Sequence, residues 1–265
     1  MNTGLTRALR SAHNTVPVPW PTLAEIITPR PGGHTVIAAA PGRGKSTLAL
    51  VWAMEIAPEP VLYVSIDTSM RDQAIRVASR LSGHPVAAIE DDLPFFSNWL
   101  DEQPMLNVRF VDDARDFEEL GEIVEAECEF WGEPPRLTIV DNIGDMVTDE
   151  SSAEYNSAFR ELGRIAKRHD THVLALHHLN RGPAADGDKS PTMRSLNYAG
   201  ERKAEAILGL WSPDGSSEKM NVSVIKNRMG PANPTGKLFS ALDLDLTRVQ
   251  ITDPASELLL TGVSA

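Results

Sequence analysis

The sequence predicts an α/β fold: a mostly parallel, twisted sheet with helices on both faces and antiparallel strands at its C-terminal end. Three observations carry this. An apolar run from Thr35 to Ala40 ends in a glycine-bearing turn, Pro41-Gly42-Arg43-Gly44-Lys45-Ser46, which opens onto a helical pattern. Further apolar strands at 61–66, 137–141 and 172–178 alternate with stretches of helical periodicity, the signature of crossover-linked parallel strands. From Met220 onward, short strands follow one another with no helix between them.

The elements follow in order. Leu5, Ala8, Leu9 and Ala12 can line one face of a short helix that Pro17 and Pro19 end, so residues 1–19 read as an N-terminal arm available for contact with a second subunit. A helix spans 45–57 and stops at Pro58 and Pro60. The buried strand 61–66 ends at Asp67, and a helix over 70–82 carries Ile75, Val77, Ala78 and Leu81. Residues 85–105 read as short helices, and 108–111 as a short strand. Phe117, Leu120, Val124, Cys128 and Trp131 recur at helical spacing. Strand 137–141 ends in Asp141, an amphipathic helix carries Tyr155, Phe159, Leu162 and Ile165, and strand 172–178 ends in His177-His178. A polar segment, 181–203, precedes strand 207–211. The closing strands fall near 220–226, 236–241 and 245–251, so a single domain covers 20–251 and a tail covers 252–265.

The chain of 265 residues has a formal net charge of −12. That argues against a surface binding nucleic acid everywhere, while leaving room for a local basic loop or a lined channel. One cysteine, Cys128, rules out an internal disulfide, suits the cytoplasm and reads as packing. No signal-peptide pattern follows Arg7 and Arg10, and no apolar run is long enough for a membrane span.

In an open parallel sheet, ligands sit outside the carboxyl ends of the strands. Those ends carry the glycine turn, Asp67, Asp141 and His178, which places them around one site. The turn has the layout of a phosphate loop, whose backbone N–H groups and helix N-terminus cradle a nucleotide. Its candidate cradle is Pro41, Gly42, Arg43, Gly44, Lys45, Ser46 and Thr47, with Lys45 for the β/γ-phosphates and Ser46 for Mg²⁺. Ala39 stands where the usual pattern has glycine. Asp141 fits the acid that holds Mg²⁺, against the ordinary reading of a turn former. Asp67 fits a general base that polarises water, against the reading of an N-cap for the helix from Met70. His178 can donate to the γ-phosphate, while His177 points to the opposite face of the sheet. A metal reading of the histidine pair lacks a cysteine or acid cluster at ligand spacing. Lys226 and Arg228 can supply positive charge to a phosphate, or form a solvated basic turn.

With these pieces in place the chain resembles the C-terminal motor domain of the DnaB-type replicative helicases, within the RecA-like ATPases, from about Trp20 to Gln250. That family writes its phosphate loop Ala-Arg-Pro-x-x-Gly-Lys-Thr, and Ala39 to Ser46 is similar, which removes the anomaly at Ala39. Its Ser-Leu-Glu matches Ser65-Ile66-Asp67, with an acid one methylene shorter here. Its metal acid matches Asp141. Its Ala-Leu-Ser-Gln-Leu-Asn-Arg matches Ala175 to Arg181, with His178 at the phosphate-sensing glutamine, as in smaller phage and plasmid helicases. Its Lys-Gln-Arg-x-Gly-Pro matches Lys226 to Pro231, whose Lys and Arg reach the adjacent subunit's ATP in the family.

The resemblance implies ATP and Mg²⁺ as cofactors, homohexameric rings, and central loops that grip single-stranded DNA. Segment 181–203 takes the place of one such loop, with five basic residues against three acids and a composition that fits a mobile loop. Its DNA-binding candidates are Arg181, Lys189 and Arg194. A replication loader or primase is the implied partner, although no N-terminal domain of the primase-binding kind precedes the arm. The leading expectation is thus an ATP-driven DNA helicase or translocase acting in replication. The alternatives are a recombination or repair ATPase that remodels DNA without processive unwinding, and a nucleotide-dependent regulator with weak hydrolysis.

Overall fold

The computed structural model describes residues 15–56, 58–149, 151–179, 187–196 and 203–255. Nine strands form one sheet in the order β3-β2-β4-β5-β1-β6-β7-β8-β9. They are β1 (His34–Ala39), β2 (Val61–Ser65), β3 (Val108–Val111), β4 (Leu137–Asp141), β5 (His172–His178), β6 (Ala206–Trp211), β7 (Lys219–Asn227), β8 (Phe239–Asp245) and β9 (Gln250–Thr252). The six strands from β3 to β6 run parallel, and β7, β8 and β9 add antiparallel to the β6 edge. The central strands are almost wholly apolar because helices cover both of their faces.

Alternate residues divide between two cores. Ile37, Ala39, Tyr63, Ile139, Leu174 and Leu176 pack under helix α2 (Lys45–Glu55), together with Trp20 and Trp52. Trp20, beside the short helix α1 (Pro21–Ala24), meets Trp52 edge to face at 5.8 Å. Val36, Ala38, Val140, Val173 and Ala175 pack on the other side, against α6 (Phe117–Trp131) and α7 (Ser152–His169). A satellite cluster of Ile75, Ala78, Ile89 and Phe96 joins α3 (Met70–Ser82), α4 (Val86–Asp91) and α5 (Leu93–Asp101). Cys128 is half-buried against the second core, and burial raises its thiol above the ordinary cysteine value.

Four expectations need correction. The arm is shorter than 1–19: Val16 is a core residue, its N–H donates to the Pro29 carbonyl, and Trp52 Nε1 donates to the Pro17 carbonyl. The expected arm helix through Leu5, Ala8, Leu9 and Ala12 lies outside the described residues. The tail does not begin at 252, because buried Asp253 accepts from the Thr22 N–H and hydroxyl at 2.8 and 2.7 Å. Helix α2 stops at Glu55, two residues early. The last two strands begin later than their apolar residues suggest. Asn233 caps a turn through Thr235 before β8, and Asp245 accepts from the Thr247 and Arg248 N–H groups to turn the chain before β9.

Segment 181–203 differs most from expectation. Its described part, 187–196, is anchored to the β6–β7–β8 hairpins. Ser190 Oγ lies 2.9 Å from Ser223 Oγ and 3.1 Å from the Gly236 carbonyl, and the Met193 N–H donates to the Pro234 carbonyl. Gly236 makes this possible. It has φ +75°, and a Cβ there would lie 1.8 Å from Ser190 Oγ and 2.8 Å from the Pro191 carbonyl. Gly236→Ala should therefore cost about 2 kcal/mol or more in stability, read as a lowered urea midpoint. An unchanged midpoint would show that the anchor is not tight.

Candidate active site

The phosphate loop leaves β1 at Ala39, with Gly42 and Gly44 at φ +70° and +77°, a backbone that only glycine adopts without strain. At Gly44 a Cβ would also strike the Met220 methyl at 2.7 Å. Gly44 is the N-cap of α2, and no side chain caps that first turn. An uncapped helix N-terminus behind a glycine turn is a ready anion cradle. Lys45 is buried beneath it. Its Nζ donates to the Ala39 carbonyl at 3.4 Å and to His178 Nδ1 at 3.1 Å. Burial lowers the Lys45 ammonium to about 8, with Asp141 and then Asp67 pulling it back up. It therefore stays charged at neutral pH.

Alternation along the strands puts the other candidates on the same face as α2. Asp141 shares its face with Leu137 and Ile139, and His178 shares its face with Leu174 and Leu176. His177 faces the opposite side, as expected, and packs on Tyr155 and Phe159 of α7 at ring separations of 4.9 and 6.3 Å. To accept from the Lys45 ammonium, His178 must be neutral with its proton on Nε2. Burial first, and then the Lys45 charge, hold its imidazole below the ordinary value. Asp67 is exposed beyond β2 and is not the helix cap: Ser69 takes that place, accepting from the Asp72 N–H. Asp67 is electrostatically coupled to Lys45 and His178.

Several polar groups at this site were not anticipated from the sequence. Tyr63, fully buried in β2, donates its hydroxyl to Asp141 Oδ2 at 2.7 Å and lies 3.5 Å from the Ser46 carbonyl. It fixes one carboxylate oxygen and ties the strand-end acid to the start of α2. Gln73 Nε2 donates to Ser65 Oγ at 2.9 Å, and Arg76 Nη2 donates to Thr47 Oγ1 at 3.1 Å. Their only sequence signal was polarity on the otherwise apolar face of a helix. Asp145, in the 3₁₀ turn Ile143–Met146, adds a third carboxylate, pushed up by burial and then by the Asp67 charge.

The donor set fits a nucleotide with a divalent cation. The Ser46 residue and Asp141 flank the Tyr63 hydroxyl, and three acids face one region beside Lys45. Among the described residues no cluster of three His, Cys, Asp or Glu side chains could hold a metal by itself. Mg²⁺ binds through one or two protein oxygens plus phosphates and water, and Ser46 and Asp141 are oxygen donors of that kind.

Lys226 and Arg228 do not join this group. Asn227 pairs with Ala206 on β6, and Ala206 pairs with Thr35 at the start of β1, whereas the phosphate loop follows Ala39 at its far end. Some 15 Å of strand separates the two edges. Lys226 Nζ donates to the Ala204 carbonyl at 2.6 Å, and burial followed by the Arg228 charge lowers it to about 8. Lys189 and Arg194 are exposed. Arg181 lies outside the described residues.

Fold and site together define a P-loop ATPase of the RecA-like type, an enzyme that binds and hydrolyses ATP. The chain belongs to the AAA domain family, whose profile matches residues 14–184. It is 31% identical to the Gene 65 protein of Mycobacterium phage L5, over 92% of this chain and 94% of that one. It is 27% identical to the replicative DNA helicase DnaB of Leifsonia xyli over 80% of this chain, and spans 51% of that protein's length. Its fold matches a DnaB-like replicative helicase with a TM-score of 0.77 at 18% identity, covering 89% of this chain and 63% of that one. It matches a second solved structure, that of an ATPase domain, at 0.76 and 17%, covering 95% of this chain and 96% of that one. No helix among the described residues is long and apolar enough to cross a membrane.

Proposed function

We propose that the chain is the motor of a ring-forming, ATP-driven DNA helicase or translocase that acts on single-stranded DNA during replication, in the cytoplasm. One observation carries the ring: the phosphate loop and the Lys226–Arg228 pair occupy opposite edges of one sheet. Neither edge reaches the other within a chain, and a head-to-tail arrangement of copies brings them together. A hexamer closes such an arrangement. The ATPase body then runs from about residue 15 to 255, and the arm before it serves as a contact between subunits.

Residues 41–47 hold the nucleotide, with Lys45 on its β/γ-phosphates. ATP binding draws Lys45 away from His178, and the freed imidazole can then donate to the γ-phosphate. Ser46 and Asp141 would hold Mg²⁺, which neutralises phosphate charge, and Tyr63 keeps Asp141 oriented. Asp67 orients and deprotonates the attacking water. Lys226 and Arg228 of the neighbouring copy stabilise charge on the transferred phosphoryl group. Lys189 and Arg194 contact the DNA backbone from a segment pinned to β7 and β8, so movement of that hairpin moves the grip. A replication loader or primase is the partner in this reading; the fold match to a DnaB-like replicative helicase described with its primase interactions supports the primase.

Strand displacement on a forked duplex tests this reading. The wild type should release the labelled strand with ATP, and Lys45→Ala should not. Single-stranded DNA binding without displacement would instead support a remodelling ATPase.

A further inference from the structure

A second cationic region lies at the far edge of the sheet. A cavity of about 250 Å³ opens beside His34 at the start of β1. Its charged walls are Arg160, Arg164 and Lys167 from α7, with Lys203, Arg228 and Glu205. Five cations face one acid in a chain whose net charge is −12, so the concentration is local and against the trend of the surface. The spacing explains the α7 contribution: positions 160, 164 and 167 fall on one helical face. Gly163 lies between them with the His34 imidazole behind it, which a Cβ there would meet in ordinary contact at 3.5 Å.

The cavity is joined to the edge that carries the finger pair. The Glu205 N–H donates to the His34 carbonyl and the Arg228 N–H donates to the Glu205 carbonyl, both at 2.9 Å. The Glu205 carboxylate lies across the bare backbone of Gly33, where a Cβ would be 2.0 Å from Oε2. Burial first, and then His172, Lys226, Arg228 and Lys167, hold the His34 imidazole well below its ordinary value, at about 4. Arg164 pairs with Glu161 at 2.6 Å, an exposed pair of small worth from which the guanidinium can swing.

We infer that this cavity is a phosphate-receiving wall, in which Arg160, Arg164 and Lys167 join Arg228 to stabilise the charge that develops on the transferring phosphoryl group of a nucleotide held by a second copy of the chain. The inference rests on the reading of Arg228 as acting in trans. It enlarges the intersubunit half of the site from one strand end to a strand end plus a helix face. Phosphate is the class of ligand the walls select: arginine forks match its oxygens, and the two aromatic rings of the lining, His34 and Phe159, are buried and stacked on each other.

The test is a mixing experiment on full-length protein. Arg164→Ala combined with Lys167→Ala should lower ATP hydrolysis about tenfold or more, with binding of a fluorescent ATP analogue and the thermal unfolding midpoint unchanged. Arg168→Ala, on the same helix, should behave as wild type. Mixing the double variant with Lys45→Ala should restore hydrolysis, because a Lys45→Ala copy offers an intact wall to the double variant's intact phosphate loop. Wild-type hydrolysis by the double variant would overturn the inference. So would failure to be rescued where Arg228→Ala is rescued, and so would a loss confined to oligo(dT) binding, which would assign the cavity to nucleic acid. If Arg228→Ala itself hydrolyses ATP normally, the trans reading falls and the wall falls with it.

Discussion

Arg228→Ala is expected to lower ATP hydrolysis by about 10³-fold or more while leaving ATP affinity nearly unchanged. The separation follows from position. Arg228 lies past the end of β7, level with the start of β1, so it touches nothing in its own chain's phosphate loop. Its loss therefore spares ground-state binding to residues 41–47. What is lost is positive charge delivered across an interface to the transferring phosphoryl group, where charge develops in the transition state and little water screens it. A loss of that size corresponds to about 4 kcal/mol of transition-state stabilisation. Steady-state turnover and binding of a fluorescent ATP analogue separate the two effects. A variant with weakened binding and unchanged maximal turnover would place Arg228 in ground-state contact instead.

Acid should destabilise the protein well before its carboxylates titrate. His34, His172 and His177 are all buried, and burial lowers each from 6.5 to about 4. His172 is satisfied in its neutral form: Nδ1 donates to the Arg30 carbonyl at 2.8 Å and Nε2 accepts from Thr35 Oγ1 at 3.0 Å. Between pH 6.5 and 4 the unfolded chain binds protons that the folded chain refuses, so stability falls as pH falls. At pH 5 each histidine costs about 2 kcal/mol, and the three together about 6 kcal/mol. That is comparable with the whole stability of a typical domain. Urea unfolding at pH 7 and pH 5 measures it, and equal midpoints at the two values would show that these rings are not held neutral.

The parallel sheet was legible because its strands are continuous apolar runs with prolines and acids at their ends. The strands 108–111, 137–141 and 172–178 lie where the pattern puts them. Near the C-terminus the same signal misplaced β8 and β9, since the Asn233 and Asp245 side chains turn the chain ahead of each strand through bonds to the backbone, which apolar spacing does not register. The strand-end rule gathered Lys45, Asp67, Asp141 and His178 in one region. It carried no information about what sits behind them. Tyr63 meets Asp141 across 78 residues of sequence, and Ser190 meets Gly236 across 46. Contacts at that range depend on strand order, which periodicity does not encode. The anchoring of 187–196 was missed for the same reason: glycine, proline and serine suggest mobility when the partner strand is unknown. Lys226 and Arg228 stood out as charges beside a glycine, but only β7's register shows which edge of the sheet they occupy.

The most direct measurement is ATP hydrolysis with and without single-stranded DNA, with Lys45→Ala as the control for contaminating activity. A DNA-coupled motor predicts hydrolysis that rises on adding DNA at low salt and disappears in Lys45→Ala. Hydrolysis that depends on Lys45 but ignores DNA across salt concentrations would contradict the motor reading. It would leave an ATPase that acts on some other cargo.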